Sequence, residues 1–154
     1  MAKPFADIMV EGKLDIPYRY AAGPIATRFY DALEQQRKIL GIRCDSCRRV
    51  YLPPRAVCGT CFRSMHDWVE LKNEGEVLNY TIVHYQEPIH PAKAPFAYAL
   101  IKLDGADTAF IHLLGDVDLD HVRIGMRVKA VFADPPTGNI LDISHFRPVS
   151  APQA

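Results

Sequence analysis

No run of the 154 residues approaches the roughly 18 uninterrupted apolar positions that a membrane-spanning helix needs, because Pro, His, Asp or Lys breaks every apolar stretch. The opening MAKPFADIMVEGKLDIPYRY has neither the basic start nor the apolar run of about 7–15 residues that a secretory signal requires. A cytoplasmic protein is therefore expected. Thiols stay reduced in that compartment, so paired cysteines there point to metal rather than to disulfides. Net charge is also missing, since eighteen Lys and Arg balance eighteen Asp and Glu, which removes the global signature of a nucleic-acid or anionic-membrane binder. Catalytic signatures are equally scarce. There is no G-x-S-x-G elbow, and "GPIATR" is too lone a glycine to cradle phosphate. His84, His112 and His121 are scattered among strands and a loop, where packing roles suit them, and no positioned nucleophile remains. Catalysis by this chain alone is not expected.

What is present is concentrated. All four cysteines lie in "CDSCRRVYLPPRAVCGTC", residues 44–61, as Cys44-x2-Cys47, a ten-residue spacer, and Cys58-x2-Cys61. Each x2 turn lets two thiolates converge on one ion, and two such turns make a tetrahedral site with metal–sulfur distances of about 2.3 Å. The spacer is shorter than the usual one of about 15–20 residues, which suits a tight zinc ribbon. Catalytic zinc keeps an open position, whereas four thiolates close the shell, so Cys44, Cys47, Cys58 and Cys61 are expected to hold a structural zinc ion. The alternative for such a site is redox-active iron of the rubredoxin kind. His66 lies nearby in sequence, but four cysteines already satisfy the ion.

Charge is unevenly spread. From Arg37 to Arg63 there are seven basic residues against Asp45 alone, and from Asp104 to Asp120 there are five aspartates and no Lys or Arg. A basic cysteine module followed by an acidic rim is one reading, and solvated faces are the other.

Around the cysteines the chain reads as mainly β. Residues 1–22 form an arm; 23–40 hold an amphipathic helix with Ile25, Phe29 and Leu33 on one face, Pro24 near its start and Gly41 beyond its end. The ribbon spans 41–67, with "KILGIR" and "VYL" as short extended flanks. After Cys61 "HDWVEL" leads to Gly75, and the barrel assigned to 68–148 holds "EVLNYTIVHYQ", "FAYALIKL", "TAFIHLL", "MRVKAVF" and "ILDISHF", with a tight turn at Asp104-Gly105 and a helical turn near 119–123; a tail of 149–154 follows. Five short strands fit a small closed barrel of OB type better than a sandwich of about seven.

The order of parts, with "LPPR" between the cysteine pairs, "GEVLNYTIVH" after Trp68, "IGMRVKAVF" and the terminal "FRP", resembles the family of acyl-CoA-associated proteins that fuse a rubredoxin-like zinc ribbon to an OB fold. The resemblance covers Pro24 to Pro148. It implies a non-catalytic accessory subunit of thiolases, such as the benzoylsuccinyl-CoA type, that docks near the partner's CoA site and helps enclose the acyl-CoA. Arg48 stands where many relatives have Gly after the second cysteine, which puts the tight knuckle geometry in question. CoA carries phosphates, which Arg grips with a bidentate fork. Arg48, Arg49, Arg55 and Arg63 supply such groups, and the 86–97 loop adds Lys93, with Phe96 and Tyr98 as contacts for adenine or the acyl chain. The competing use for zinc ribbons and OB barrels is nucleic-acid binding, whose affinity would fall steeply with salt.

Overall fold

The computed structural model describes residues 8–12, 14 and 16–149; the remainder of the expected arm and tail lies outside the described residues. Helix α1 runs Gly23–Gln36 with Pro24 in its first turn, where a missing N–H costs nothing. Phe29 and Leu33 are buried and join the main core, while Ile25 packs on the cysteine module. The helix stops at Arg37, which takes the left-handed conformation at φ 53° and donates its N–H to Leu33 O, followed by Lys38 N–H to Ala32 O. An arginine therefore fills the role expected of Gly41. The early stop turns Ile39 into the core, where it is 1% exposed. Gly41 serves β1 instead, where a Cβ would come 3.0 Å from Val50 Cγ1 and 3.2 Å from the Tyr51 carbonyl.

Three antiparallel strands form the ribbon sheet in the order β2-β1-β3: β1 Leu40–Arg43, β2 Val50–Tyr51 and β3 Asp67–Glu70. The "DWVE" stretch thus pairs with β1, Trp68 opposite Ile42, rather than entering the barrel. Arg28 from α1 covers the Trp68 ring at 4.7 Å.

The barrel comprises β4 Glu74–Val83, β5 Phe96–Leu103, β6 Phe110–Leu114, β7 Arg127–Phe132 and β8 Ile143–Pro148. It closes in the order β4-β5-β6-β8-β7, with β7 returning to β4 and a single parallel pairing of Leu114 with Phe146 joining β6 to β8. This is the five-stranded OB arrangement. The period-two pattern of β5 sends Ala97, Ala99, Ile101 and Leu103 inward, and the two alanines leave room for Phe110 and Phe146 across the lumen. Gly75 allows β4 and β5 to approach, since a Cβ there would collide with the Lys102 carbonyl.

Strand β2 stitches the two parts together. Its alternation sends Val50 and the adjoining Leu52 into the main core and Tyr51 into the cysteine cluster. Its backbone docks on the β5–β6 turn: Val50 N–H donates to Asp107 Oδ2 (2.8 Å), Asp107 N–H to Val50 O (2.8 Å), and Leu52 N–H to Thr108 Oγ1 (2.7 Å). The aspartates from 104 to 120 are largely committed in this way. Asp104 takes a bidentate grip from Arg127 at 2.8 and 2.7 Å, which holds its carboxyl below the ordinary value, and Asp118 caps its own 3-10 turn at Leu119–His121.

Candidate metal centre

Both cysteine pairs fold into the same knuckle. In the first, Arg48 N–H donates to Cys44 O (2.8 Å) and Cys44 N–H to Arg49 O (2.9 Å); in the second, Phe62 N–H donates to Cys58 O (3.0 Å) and Cys58 N–H to Arg63 O (2.9 Å). The residue after each second cysteine is left-handed, Arg48 at φ 60° and Phe62 at φ 59°. The knuckle therefore forms without Gly at that position, at a backbone cost of about 1 kcal/mol each. Backbone N–H groups also reach sulfur, Cys47 to Cys44 Sγ and Thr60 to Cys58 Sγ, both at 3.4 Å.

The four Sγ atoms lie within 4.8 Å of one another, with Cys44 and Cys61 sulfurs 3.5 Å apart, and all four thiols are free. A tetrahedron with metal–sulfur bonds of about 2.3 Å has sulfur–sulfur edges of about 3.8 Å, so the cluster is sized for one ion. Cys44 and Cys58 are buried; Cys47 and Cys61 are half-buried. As thiols they differ. The Tyr51 hydroxyl, 3.2 Å from Cys58 Sγ, and then the Cys61 and Thr60 N–H groups draw Cys58 down to about 5 against the effect of burial. The Cys61 side chain, then burial, pushes Cys47 up to about 12. His66 is exposed and not among the four.

The candidate CoA contacts lie on two parts of the fold, the ribbon and the β4–β5 loop with the start of β5. Arg48, Arg49, Arg55 and Arg63 are exposed on the ribbon, with Arg55 stacked 5.1 Å and Arg49 6.0 Å from the Tyr51 ring centroid. Lys93 is exposed on the β4–β5 loop. The ribbon docks on the turn after β5, and the loop enters at the start of β5, so these two attachment points lie at the two ends of an eight-residue strand about 23 Å long. Phe96 is 5% exposed, edge-on to His90 (5.2 Å) and Tyr98 (5.3 Å), and so supports its neighbours rather than presenting a face. Half-buried Tyr98 lines a shallow groove of about 250 Å³ with Tyr80, Leu100 and Ile111. Sequence reasoning missed this groove and the place of Tyr51 in the cysteine cluster; the alternation of β5 was the available signal for the first.

Of the histidines, His84 and His121 are exposed and His112 is 4% exposed. His112 Nδ1 accepts from Leu113 N–H (2.9 Å), which makes Nε2 the protonated nitrogen, 3.3 Å from the Ile140 carbonyl. Burial first, and then the charge of His145, holds His112 below its ordinary value. A native state that refuses a proton loses stability where the unfolded chain accepts one. As pH falls below about 6.5, His112 is therefore expected to lower the urea midpoint, and His112→Leu to flatten that slope between pH 7.5 and 5.5. Equal slopes in both proteins would remove this assignment.

Residues 31–66 match the family description "ChsH2, rubredoxin-like zinc ribbon domain", and residues 68–133 match "ChsH2, C-terminal OB-fold domain". A DUF35 domain-containing scaffold protein of Methanocaldococcus jannaschii is 29% identical over 109 residues, 70% of this chain and 77% of that protein. A Thermomonospora curvata protein described as "Probable enoyl-CoA hydratase alpha subunit" is 32% identical over 123 residues, 78% of this chain and 36% of that longer protein. A chain of the Ltp2-ChsH2(DUF35) aldolase superposes with a TM-score of 0.64 at 25% identity, covering 84% of this chain and 98% of that one. Among the described residues no helix is long and apolar enough to cross a membrane. A closed tetrathiolate knuckle pair docked on a five-stranded barrel, with both halves matched in order, places the chain in the ChsH2/DUF35 family, with a structural zinc in its ribbon.

Proposed function

We propose that this chain is a non-catalytic scaffold subunit that assembles with a thiolase-type acyl-CoA enzyme and helps cover that partner's CoA site. The observation that carries this reading is the likeness to nearly the whole of one chain in the Ltp2-ChsH2(DUF35) aldolase. Two features of the surface support it. Ile8, Met9, Val10, Leu14, Ile16, Tyr18 and Tyr20 of the arm are each at least 64% exposed, an apolar display that calls for a partner surface. The β4–β5 loop adds Tyr85 and Ile89, 64% and 89% exposed, beside Lys93. The separation of the ribbon arginines from Lys93 and Tyr98 favours the loop end for CoA, with the ribbon gripping protein.

The test is native mass spectrometry of the protein purified from its own cells, with zinc quantified on the same sample. A stable assembly with a chain of thiolase size and one zinc per copy is expected, and removing this chain should abolish the partner's activity. A zinc-loaded monomer, or one carrying nucleic acid with a steep salt dependence, would overturn the reading.

A further inference from the structure

We infer that Tyr51 is the outer-shell donor that orients the Cys58 thiolate toward the metal, and that through β2 it ties the metal centre to the barrel. The two knuckles share their backbone–backbone bonds, and the second adds a side-chain hydroxyl on sulfur. Tyr51, 4% exposed, brings a hydroxyl to 3.2 Å from Cys58 Sγ and 3.4 Å from Thr60 Oγ1. A metal-bound thiolate has only lone pairs to offer, so the phenol O–H donates to sulfur and the Thr60 hydroxyl donates to the phenol oxygen. Cys58 then receives the Tyr51 hydroxyl in addition to backbone N–H groups such as that of Thr60. The ring is fixed from outside by the Arg55 and Arg49 guanidiniums, which form no ion pair among the described residues and bring positive charge beside the thiolates.

The neighbours of Tyr51 face the other way. Val50 and Leu52 put their side chains into the main core and their N–H groups on Asp107 Oδ2 and Thr108 Oγ1. One short strand thus touches sulfur on one side and the barrel on the other. A displacement of the ring must move the backbone that holds ribbon to barrel, because the strand has no slack residue between them.

Tyr51→Phe tests this without a partner enzyme, since it keeps the ring and both stacked guanidiniums. Competition with a chromophoric chelator is expected to show zinc affinity lowered about 10- to 100-fold, the range for lost outer-shell partners. In the cobalt(II)-substituted protein the sulfur-to-cobalt charge-transfer band should shift. The Val50 and Leu52 amides should exchange faster while those of β5 do not. Thr108→Val provides the second arm: it frees the Leu52 amide from the barrel side but keeps the Tyr51 hydroxyl on Cys58, and should move the cobalt band much less than Tyr51→Phe does. Unchanged affinity and band in Tyr51→Phe would overturn the inference, as would an equal band shift in Thr108→Val, which would mark general loosening rather than a donor to Cys58.

Discussion

Cys58→Ser is expected to leave the purified protein without stoichiometric zinc and with its ribbon unfolded. The reason lies in how little else holds that part together. The buried cluster of the ribbon consists of Ile42, Cys44, Tyr51, Cys58 and Met65, so two of its five members are ligands. Serine offers a neutral hydroxyl where a thiolate is needed, at a position fully shielded from solvent and already committed to Tyr51 and Thr60. Zinc affinity in small finger peptides amounts to about 10–16 kcal/mol of folding free energy, as large as the whole stability of a typical domain at about 5–15 kcal/mol. The barrel will not pass through unharmed, because Val50, Leu52, Ile39 and α1 contribute to its core. Metal analysis and amide exchange read both consequences. One zinc per chain retained in the mutant would show that the ligand set is wrong.

The second large effect is expected at Phe146, which is fully buried at the closure of the barrel. It pairs with Leu114 on β6 and Ala130 on β7 and packs edge-on against Phe110 (5.8 Å) and His112 (5.6 Å). Phe146→Ala should cost about 3–5 kcal/mol, since a closed ring of strands collapses poorly around a lost side chain. For a chain of this size that corresponds to a fall in Tm on the order of 10 °C. Ile111→Ala, on the outer face and 67% exposed, should stay within about 0.5 kcal/mol. Denaturant midpoints for the pair decide the matter: similar losses would mean that Phe146 does not anchor the core.

How much of this could be read from the chain depends on the distance over which each signal acts. The metal centre was legible because each x2 turn is local, and the closed shell follows from the ligand type. Strand β5 was legible to the residue, since "FAYALIKL" at 96–103 sits between Pro95 and the Asp104-Gly105 turn. The stop of α1 was not, because Arg37 adopts a glycine-like conformation under the demand that Ile39 be buried. The partner of "DWVE" was not legible either: its pattern states a strand but not which sheet receives it. The supposed CoA residues illustrate the same limit. Arg55 and Lys93 are basic in any reading, yet only the fold shows that one sits on the ribbon and the other on the β4–β5 loop of the barrel.

The closure of that barrel carries a consequence for recruitment. A sheet with a free edge can act as a template onto which another chain adds a strand through backbone hydrogen bonds, with little regard for sequence. Here β7 returns to β4, and the thinnest join, between β6 and β8, is backed by His112 reaching from Leu113 to Ile140. Closure leaves only short unpaired stretches of strand edge, so a partner gripping the barrel relies largely on side chains. Recognition at that surface is then written in individual residues such as Tyr85, Ile89 and Ile111, where single substitutions can change the choice of partner without disturbing the fold.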